Sequence, residues 1–95
     1  MPKGYIIGHI TVTNPEAYQE YIIRDTPIIE SYGGRPLVRG GPSEEPEGPQ
    51  FDRHVVFEFD DFAQAKALYN DPEYQEVARI RRENATSMIV LVEGV

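Results

Sequence analysis

The last apolar segment of the chain, residues 87–92, constrains the fold more than any other feature. Residues 88–92 are all apolar, so an extended backbone here presents apolar side chains on both of its faces. Strands of this kind are normally buried on both faces. With 95 residues in total, the chain has few other elements that could provide this cover.

Three other segments predict strands. Residues 5–13 and 53–59 alternate apolar and polar side chains with the period of two that is typical of half-buried strands. Residues 35–39 predict a short edge strand, because Pro36 cannot donate a hydrogen bond to a neighbour. Residues 40–50 are rich in glycine, proline and glutamate and predict an acidic loop exposed to solvent.

Two helical regions lie between the strands. The first, residues 14–34, opens with an N-cap asparagine and a proline at the first helical position and closes with two glycines. Pro27 should kink this helix. The second, residues 61–83, is interrupted at Asn70 and restarts with another pair of capping residue and proline.

The resulting order, β-α-β-β-α-β, predicts an α+β fold with a four-stranded antiparallel sheet of ferredoxin-like topology. Its helices cover only one face of the sheet. Apolar side chains of the last strand, and Ile7 in the first strand, lie on the other face and need to be buried. A second copy of the chain is the simplest way to cover them. We therefore expect one domain, residues 1–95, that forms a homodimer with two sheets packed face to face.

Composition argues against several classes of function. The net charge is −7, with 9 Lys and Arg against 16 Asp and Glu, which disfavours nucleic acid and anionic membranes as partners. The chain has no cysteine, so disulfides and thiolate sites are excluded. No signal peptide or membrane-spanning segment is recognisable, and we expect a cytoplasmic location. Without a nucleotide-binding glycine loop or a serine-nucleophile motif, we expect no cofactor.

Seven short segments, taken in order, are similar to one known family. They are residues 3–7, 12–18, 32–34, 38–41, 55–59, 68–75 and 92–95. Together they resemble the domain-of-unknown-function family 1330, within the dimeric α/β-barrel superfamily. The resemblance implies two ferredoxin-like protomers whose sheets form a barrel, and no established activity. The superfamily also contains cofactor-free monooxygenases, muconolactone isomerases and haem-dependent enzymes, whose chemistry a shared fold does not transfer.

His9 and His54 are the only histidines, and the predicted topology puts both on one sheet face with Glu58. A histidine with a carboxylate in reach can exchange protons near neutral pH. His9 and Glu58 are therefore candidate catalytic residues, and His54 is a candidate ligand-binding residue. One alternative is that the histidines only form hydrogen bonds at the dimer interface. Another is that all three side chains bind a transition metal, although no spacing signature indicates a metal site.

Arg39 precedes Gly40 and Gly41, and a guanidinium beside two glycines can bind a carboxylate or phosphate. Because the Arg-Gly-Gly unit is part of the family resemblance, Arg39 is a candidate anion-binding residue. Glu58 interrupts an apolar strand and needs a partner, which Arg39 on the adjacent strand could provide. The alternative is that Arg39 forms a structural ion pair beside a turn that requires glycine.

Tyr18, Tyr21 and Asp25 lie on one stripe of the first helix. Aromatic residues with this spacing usually pack in a core, but buried hydroxyls need partners. A carboxylate on the same stripe indicates a polar cleft between helix and sheet. These three residues are candidate ligand-binding residues, and simple packing is the alternative.

Three functions follow from these residues. The first is a binding protein or cofactor-free enzyme with a pocket in each protomer for a small carboxylate or aromatic metabolite. The second is a non-catalytic binding or sensing module that uses the same pocket, and the third is a structural homodimer. An enclosed cavity of about 300 Å³ or more would favour the first two, and a filled interface between helices and sheet would favour the third.

Overall fold

The structure, a computed structural model, describes all 95 residues. In chain order the elements are β1 (Gly4–Val12), α1 (Pro15–Ser31), β2 (Arg35–Arg39), β3 (Arg53–Phe59), α2 (Phe62–Tyr69), α3 (Pro72–Asn84) and β4 (Ala85–Glu93). The strands form one antiparallel sheet in the order β2-β3-β1-β4. The predicted ferredoxin-like connectivity is confirmed.

The helices begin and end at the predicted signals. The Asn14 side chain accepts a 3.3 Å hydrogen bond from the Ala17 amide, and Asp61 and Asp71 cap α2 and α3 in the same way. The interruption at Asn70 is confirmed, because this residue caps the end of α2. Helix α1 continues from Pro15 to Ser31 as one helix that includes the internal proline.

The core lies between the helices and one face of the sheet. The strands contribute every second side chain to it, and the helices contribute their apolar stripes. The buried apolar residues of the strands are Ile6, Ile10, Val55, Phe57 and Phe59. Those of the helices are Tyr18, Tyr21, Ile28, Ile29, Ala65, Leu68, Tyr74, Val77, Ala78 and Ile80.

The opposite face of the sheet, which we call the open face, carries no helix. In β4 the residues Ile89 and Leu91 pack against the core, whereas Met88, Val90 and Val92 are 39–48% exposed on the open face. The two sets of apolar side chains in this strand therefore have different surroundings: one packs against the core and the other is partly exposed. None of the helices is long and apolar enough to span a membrane.

Candidate functional site

The seven candidate residues divide into two groups, one on each side of the sheet. The cleft group lies between α1 and the sheet and comprises Tyr18, Tyr21, Asp25 and Arg39. The open-face group comprises His9, His54 and Glu58. Because the sheet separates the two groups, they cannot contact the same small ligand.

A β-bulge decides on which side Arg39 lies. The pairing of β2 with β3 shifts between Pro36 and Val38, so Arg39 pairs with the core residue Val55 and lies on the helix side. Without the extra residue, the side chain would be on the open face. The prediction of an ion pair between Arg39 and Glu58 is therefore wrong, because the bulge puts the two side chains on opposite faces of the sheet.

Asp25 is the buried carboxylate of the cleft, with 3% of its surface exposed. Its Oδ1 lies 3.6 Å from Nη2 of Arg39. The same Nη2 donates a 2.5 Å hydrogen bond to the Thr26 hydroxyl, which in turn donates a 2.7 Å bond to the Ile22 carbonyl. The guanidinium also lies 5.5 Å from the centre of the Phe57 ring. These contacts fix Arg39 across the mouth of the cleft.

Burial raises the pKa of Asp25 from 3.8 to about 6, because an apolar environment disfavours the charged carboxylate. A hydrogen bond from the Tyr21 hydroxyl and the attraction of Arg39 offset only part of this effect. A carboxyl group with such a pKa is close to its midpoint near neutral pH. It can therefore accept or release a proton at little cost, which is what an acid–base group requires.

Three tyrosines surround this carboxylate. The hydroxyls of Tyr21 and Tyr74 lie 2.9 Å apart, and burial raises the pKa of both phenols, which keeps them protonated. Two hydroxyls carry two protons and their mutual hydrogen bond uses one, so the other can be donated to Asp25, whose pKa a hydrogen bond from Tyr21 lowers. The ring of Tyr18 packs 5.4 Å from that of Tyr21.

Two further arginines, which the sequence pattern did not single out, lie in or near the cleft. Arg53 lines the cavity, and its Nε is buried without a hydrogen-bond partner. Arg81 is 2% exposed and donates to Ser87, but its Nε and Nη2 also lack partners. Their positions in the sequence could have indicated that they face the core. Arg53 alternates in step with the core residues of β3, and Arg81 lies on the buried stripe of α3.

The cavity enclosed by the cleft group is small. Its volume is about 30 Å³, which is room for about two water molecules. The interface between helices and sheet is thus nearly filled, which falls short of the 300 Å³ expected for a preformed ligand pocket. A ligand could enter only with its smallest polar end, or after Arg39 moves.

The two histidines form a direct pair on the open face. His9 and His54 are cross-strand neighbours, and their Nδ1 atoms lie 2.8 Å apart. The carboxylate that reaches this pair is Glu45, whose Oε1 lies 2.5 Å from Nε2 of His54. Glu45 belongs to the acidic loop, so the loop is attached to the sheet at this point. Sequence position gave no sign of this contact.

Glu58 lies at the other end of the open face, four residues along β3 from His54. It accepts a 3.1 Å hydrogen bond from Nη2 of Arg35 and another of 3.1 Å from the Tyr5 hydroxyl. These contacts, that of Arg35 first, lower the pKa of Glu58. Glu58 and the histidines are therefore not brought together as the predicted acid–base pair or metal site, and no set of three potential ligands is arranged around a metal position.

A recess of about 280 Å³ lies between the acidic loop and the histidine end of the open face. It is lined by His9, Glu44, Glu45, Pro46, Glu47, Pro49, Phe51, His54 and Met88. The ring centre of Phe51 is 5.9 Å from that of His9. The recess is thus an acidic and aromatic site, whereas the cleft on the other side of the sheet is rich in arginine.

Comparison with solved structures supports the fold. A protein of unknown function from Rhodopseudomonas palustris, RPA0582, superposes with a TM-score of 0.78 at 19% identity, covering 99% of this chain and 83% of that one. SnoaB, a cofactor-independent oxygenase from Streptomyces nogalater, gives 0.63 at 17% identity, with coverage of 97% and 92%. A dimeric ferredoxin-like protein of unknown function from Jannaschia sp. CCS1 gives 0.67 at 12% identity, with coverage of 96% and 98%.

At these identities the comparisons establish the fold alone, and no match was found among curated proteins. Comparison of the sequence with family models identifies the family. The model of the family described as a domain of unknown function, DUF1330, matches residues 3–95. The chain therefore belongs to the DUF1330 family.

Proposed function

We propose that this protein is a homodimer that binds a small organic carboxylate in the cleft of each protomer, with Asp25 as the group that exchanges a proton with it. The observation that carries the proposal is the charge imbalance inside the cleft. The guanidiniums of Arg39 and Arg53 line the cavity, whose single carboxylate is that of Asp25, and the buried guanidinium of Arg81 also acts on the pKa of Asp25. The buried N–H groups of two of them have no acceptor.

A carboxylate bound in the cavity would add a counter-charge beside Arg39 and Arg53 and offer an acceptor to Nε of Arg53. Buried cationic groups are costly unless they are paired, and a buried donor without an acceptor costs about 1–3 kcal/mol. A carboxylate offers two oxygens with the planar geometry that a guanidinium binds well. Its head group is comparable in size to the cavity of about 30 Å³. The remainder of the ligand would extend past Arg39, whose side chain is 29% exposed.

The proposed chemistry is acid–base. Asp25, with a pKa of about 6, would accept a proton from the bound ligand or return one to it, and the hydrogen bond from Tyr21 would stabilise the carboxylate of Asp25 when it is ionised. The likeness to the oxygenase SnoaB extends to the fold only. The proposed role of Asp25 therefore rests on its burial and its neighbours.

The exposed apolar side chains of the open face are the reason for proposing a dimer. Val38, Val90 and Val92 are each exposed by about two fifths there, and the face lacks a helix to cover them. A second sheet packed on it would bury these side chains at about 25 cal/mol per Å². Structural neighbours from Jannaschia and Thermobifida fusca are named dimeric ferredoxin-like proteins, which supports a dimer.

The small cavity favours a second candidate, a structural homodimer without a ligand. A binding measurement separates the two. Benzoate serves as the carboxylate probe, and benzyl alcohol is its neutral counterpart of similar shape. We expect benzoate to bind in a calorimetric titration at low salt and benzyl alcohol not to bind, because only the anion pairs with the arginines.

Matched variants locate the site. Arg39→Met and Arg53→Met should weaken benzoate binding by about tenfold or more, which corresponds to the loss of one charged hydrogen bond. Arg79→Met is the control, because Arg79 pairs with Glu76 and Glu83 on the outer surface of α3. Asp25→Asn should bind benzoate at least as tightly as the wild type. Equal binding by Arg39→Met and wild type, or no binding at all, would favour the structural dimer.

A further inference from the structure

The histidine pair has a fixed direction of hydrogen bonding. A carboxylate can only accept, so His54 donates its Nε2–H to Glu45. When His54 is neutral, its Nδ1 can only accept, and the proton in the 2.8 Å contact must belong to Nδ1 of His9. The remaining nitrogen, Nε2 of neutral His9, then carries a lone pair. It forms no hydrogen bond in the protein, and His9 lines the recess.

The surroundings of this nitrogen are anionic. Glu44, Glu45 and Glu47 all line the recess, and no lysine or arginine does. The histidines can carry one positive charge while they remain bonded to each other, because doubly protonated rings would present two donors at the contact. Three carboxylates against at most one imidazolium leave the recess with a net charge of about −2 or −3.

Two further features limit the class of ligand that the recess can bind. The volume of about 280 Å³ suits a small organic molecule and far exceeds that of one bare ion. Phe51 supplies an aromatic ring, whose face attracts cations. The acceptor nitrogen, the negative charge and the ring select together for a cation that carries N–H donors. Glu45, through His54, holds His9 in the tautomer that accepts.

We propose that His9, His54, Glu45 and Phe51 form a second ligand site, which binds a small organic ammonium ion through a hydrogen bond to Nε2 of His9. The site is separate from the cleft and selects the opposite charge. His9, His54 and Met88 belong to the open face, so the recess would adjoin the proposed dimer interface. The proposal does not depend on carboxylate binding in the cleft.

The test follows the imidazole nitrogen signals of His9 and His54 by NMR while probes are added to the full chain at constant, mildly alkaline pH. Benzylammonium is the cationic probe, with benzyl alcohol and benzoate as neutral and anionic probes of similar shape. We expect saturable shifts of the His9 signals with benzylammonium alone, weaker at high salt. Shifts of equal size with benzyl alcohol, or no saturation with benzylammonium, would overturn the proposal.

Variants test the individual roles. His9→Phe keeps the bulk and removes the acceptor, and Glu45→Gln removes the charge that orients the pair; each should weaken benzylammonium binding by about tenfold. Glu30→Gln, on the exposed surface of α1, is the control and should bind like the wild type. If His9→Phe binds benzylammonium as tightly as the wild type, the assigned hydrogen bond is wrong. The wild-type titration remains decisive even where a variant fails to fold.

Discussion

Arg39 and Asp25 face each other across the cleft at 3.6 Å, one on the edge strand and the other on the first helix. The ion pair is not a direct hydrogen bond. Arg39 donates its short hydrogen bond to Thr26, and its guanidinium lies 3.6 Å from the Asp25 carboxylate. The raised pKa of Asp25 reflects this arrangement, since burial outweighs the attraction. The consequences for stability can be measured.

Asp25 should make the protein less stable as the pH rises. Between pH 3.8 and about 6 the folded state binds more protons than the unfolded chain at this group, so the free energy of unfolding falls with increasing pH. The two pKa values differ by an amount worth about 3 kcal/mol. Asp25→Asn should therefore be more stable than wild type at about pH 8, by about 1–3 kcal/mol, and equal to it near pH 4.

Urea denaturation of both proteins across this pH range gives the comparison. Exposed carboxylates such as Glu76 titrate in both proteins, so the difference between the two curves isolates Asp25. A variant that is less stable than wild type at the higher pH would show that the ion pair with Arg39 outweighs the cost of burial.

The Tyr21–Tyr74 hydroxyl pair should contribute about 1 kcal/mol to stability. Tyr21→Phe and Tyr74→Phe each remove one hydroxyl and should each cost about that amount. The double variant should cost less than the sum, because both single changes break the same hydrogen bond. Chemical denaturation of the four proteins in this cycle measures the coupling, and additive effects would mean that the hydroxyls have other partners.

The open face should control the oligomeric state. Val90→Glu puts a charge on the open face, within the proposed interface, and should convert the dimer to a monomer in light scattering after gel filtration. Ile23→Glu is the matched control, because Ile23 is 65% exposed on α1, away from the open face. If Val90→Glu elutes with the wild-type mass, the dimer does not use this face.

Gly40 should be less tolerant of alanine than Gly41. Its φ of +73° is in the left-handed region, and an added Cβ would overlap the Arg53 guanidinium. Gly40→Ala should therefore cost about 1–2 kcal/mol and weaken benzoate binding by displacing Arg53. Gly41 has no atom near its Cβ position and no positive φ, so Gly41→Ala should change stability by less than about 0.5 kcal/mol. Thermal unfolding of both variants measures the difference.

Much of the fold is encoded in local signals. Asn14, Asp61 and Asp71 cap helices through contacts within three residues, and alternation in β1 and β3 assigns each side chain to a face. These signals act over one helical turn or one strand, so they can be recognised in the sequence without knowledge of the tertiary structure. The pairing of His9 with His54 on one face followed from the same alternation.

The candidate site depended on features that act over longer distances. One extra residue in β2 moved Arg39 from the open face to the cleft, and alternation cannot reveal a bulge. The acidic loop folds against the sheet so that Glu45 contacts His54. The conformation of a loop rich in glycine and proline could not be predicted from its sequence. Arg53 and Arg81 entered the interior because the apolar parts of long side chains pack well there.

The sequence by itself determined the order of elements, their caps, the two faces of the sheet and the family. It did so because hydrogen bonds within a turn and the period of a strand depend on neighbouring residues. Only the tertiary structure decided which of these groups meet: Asp25 with Arg39 on one side of the sheet, and Glu45 with His54, which is bonded to His9, on the other. Electrostatic energy depends on separation in space, and residues such as Glu45 and His9 lie far apart along the chain.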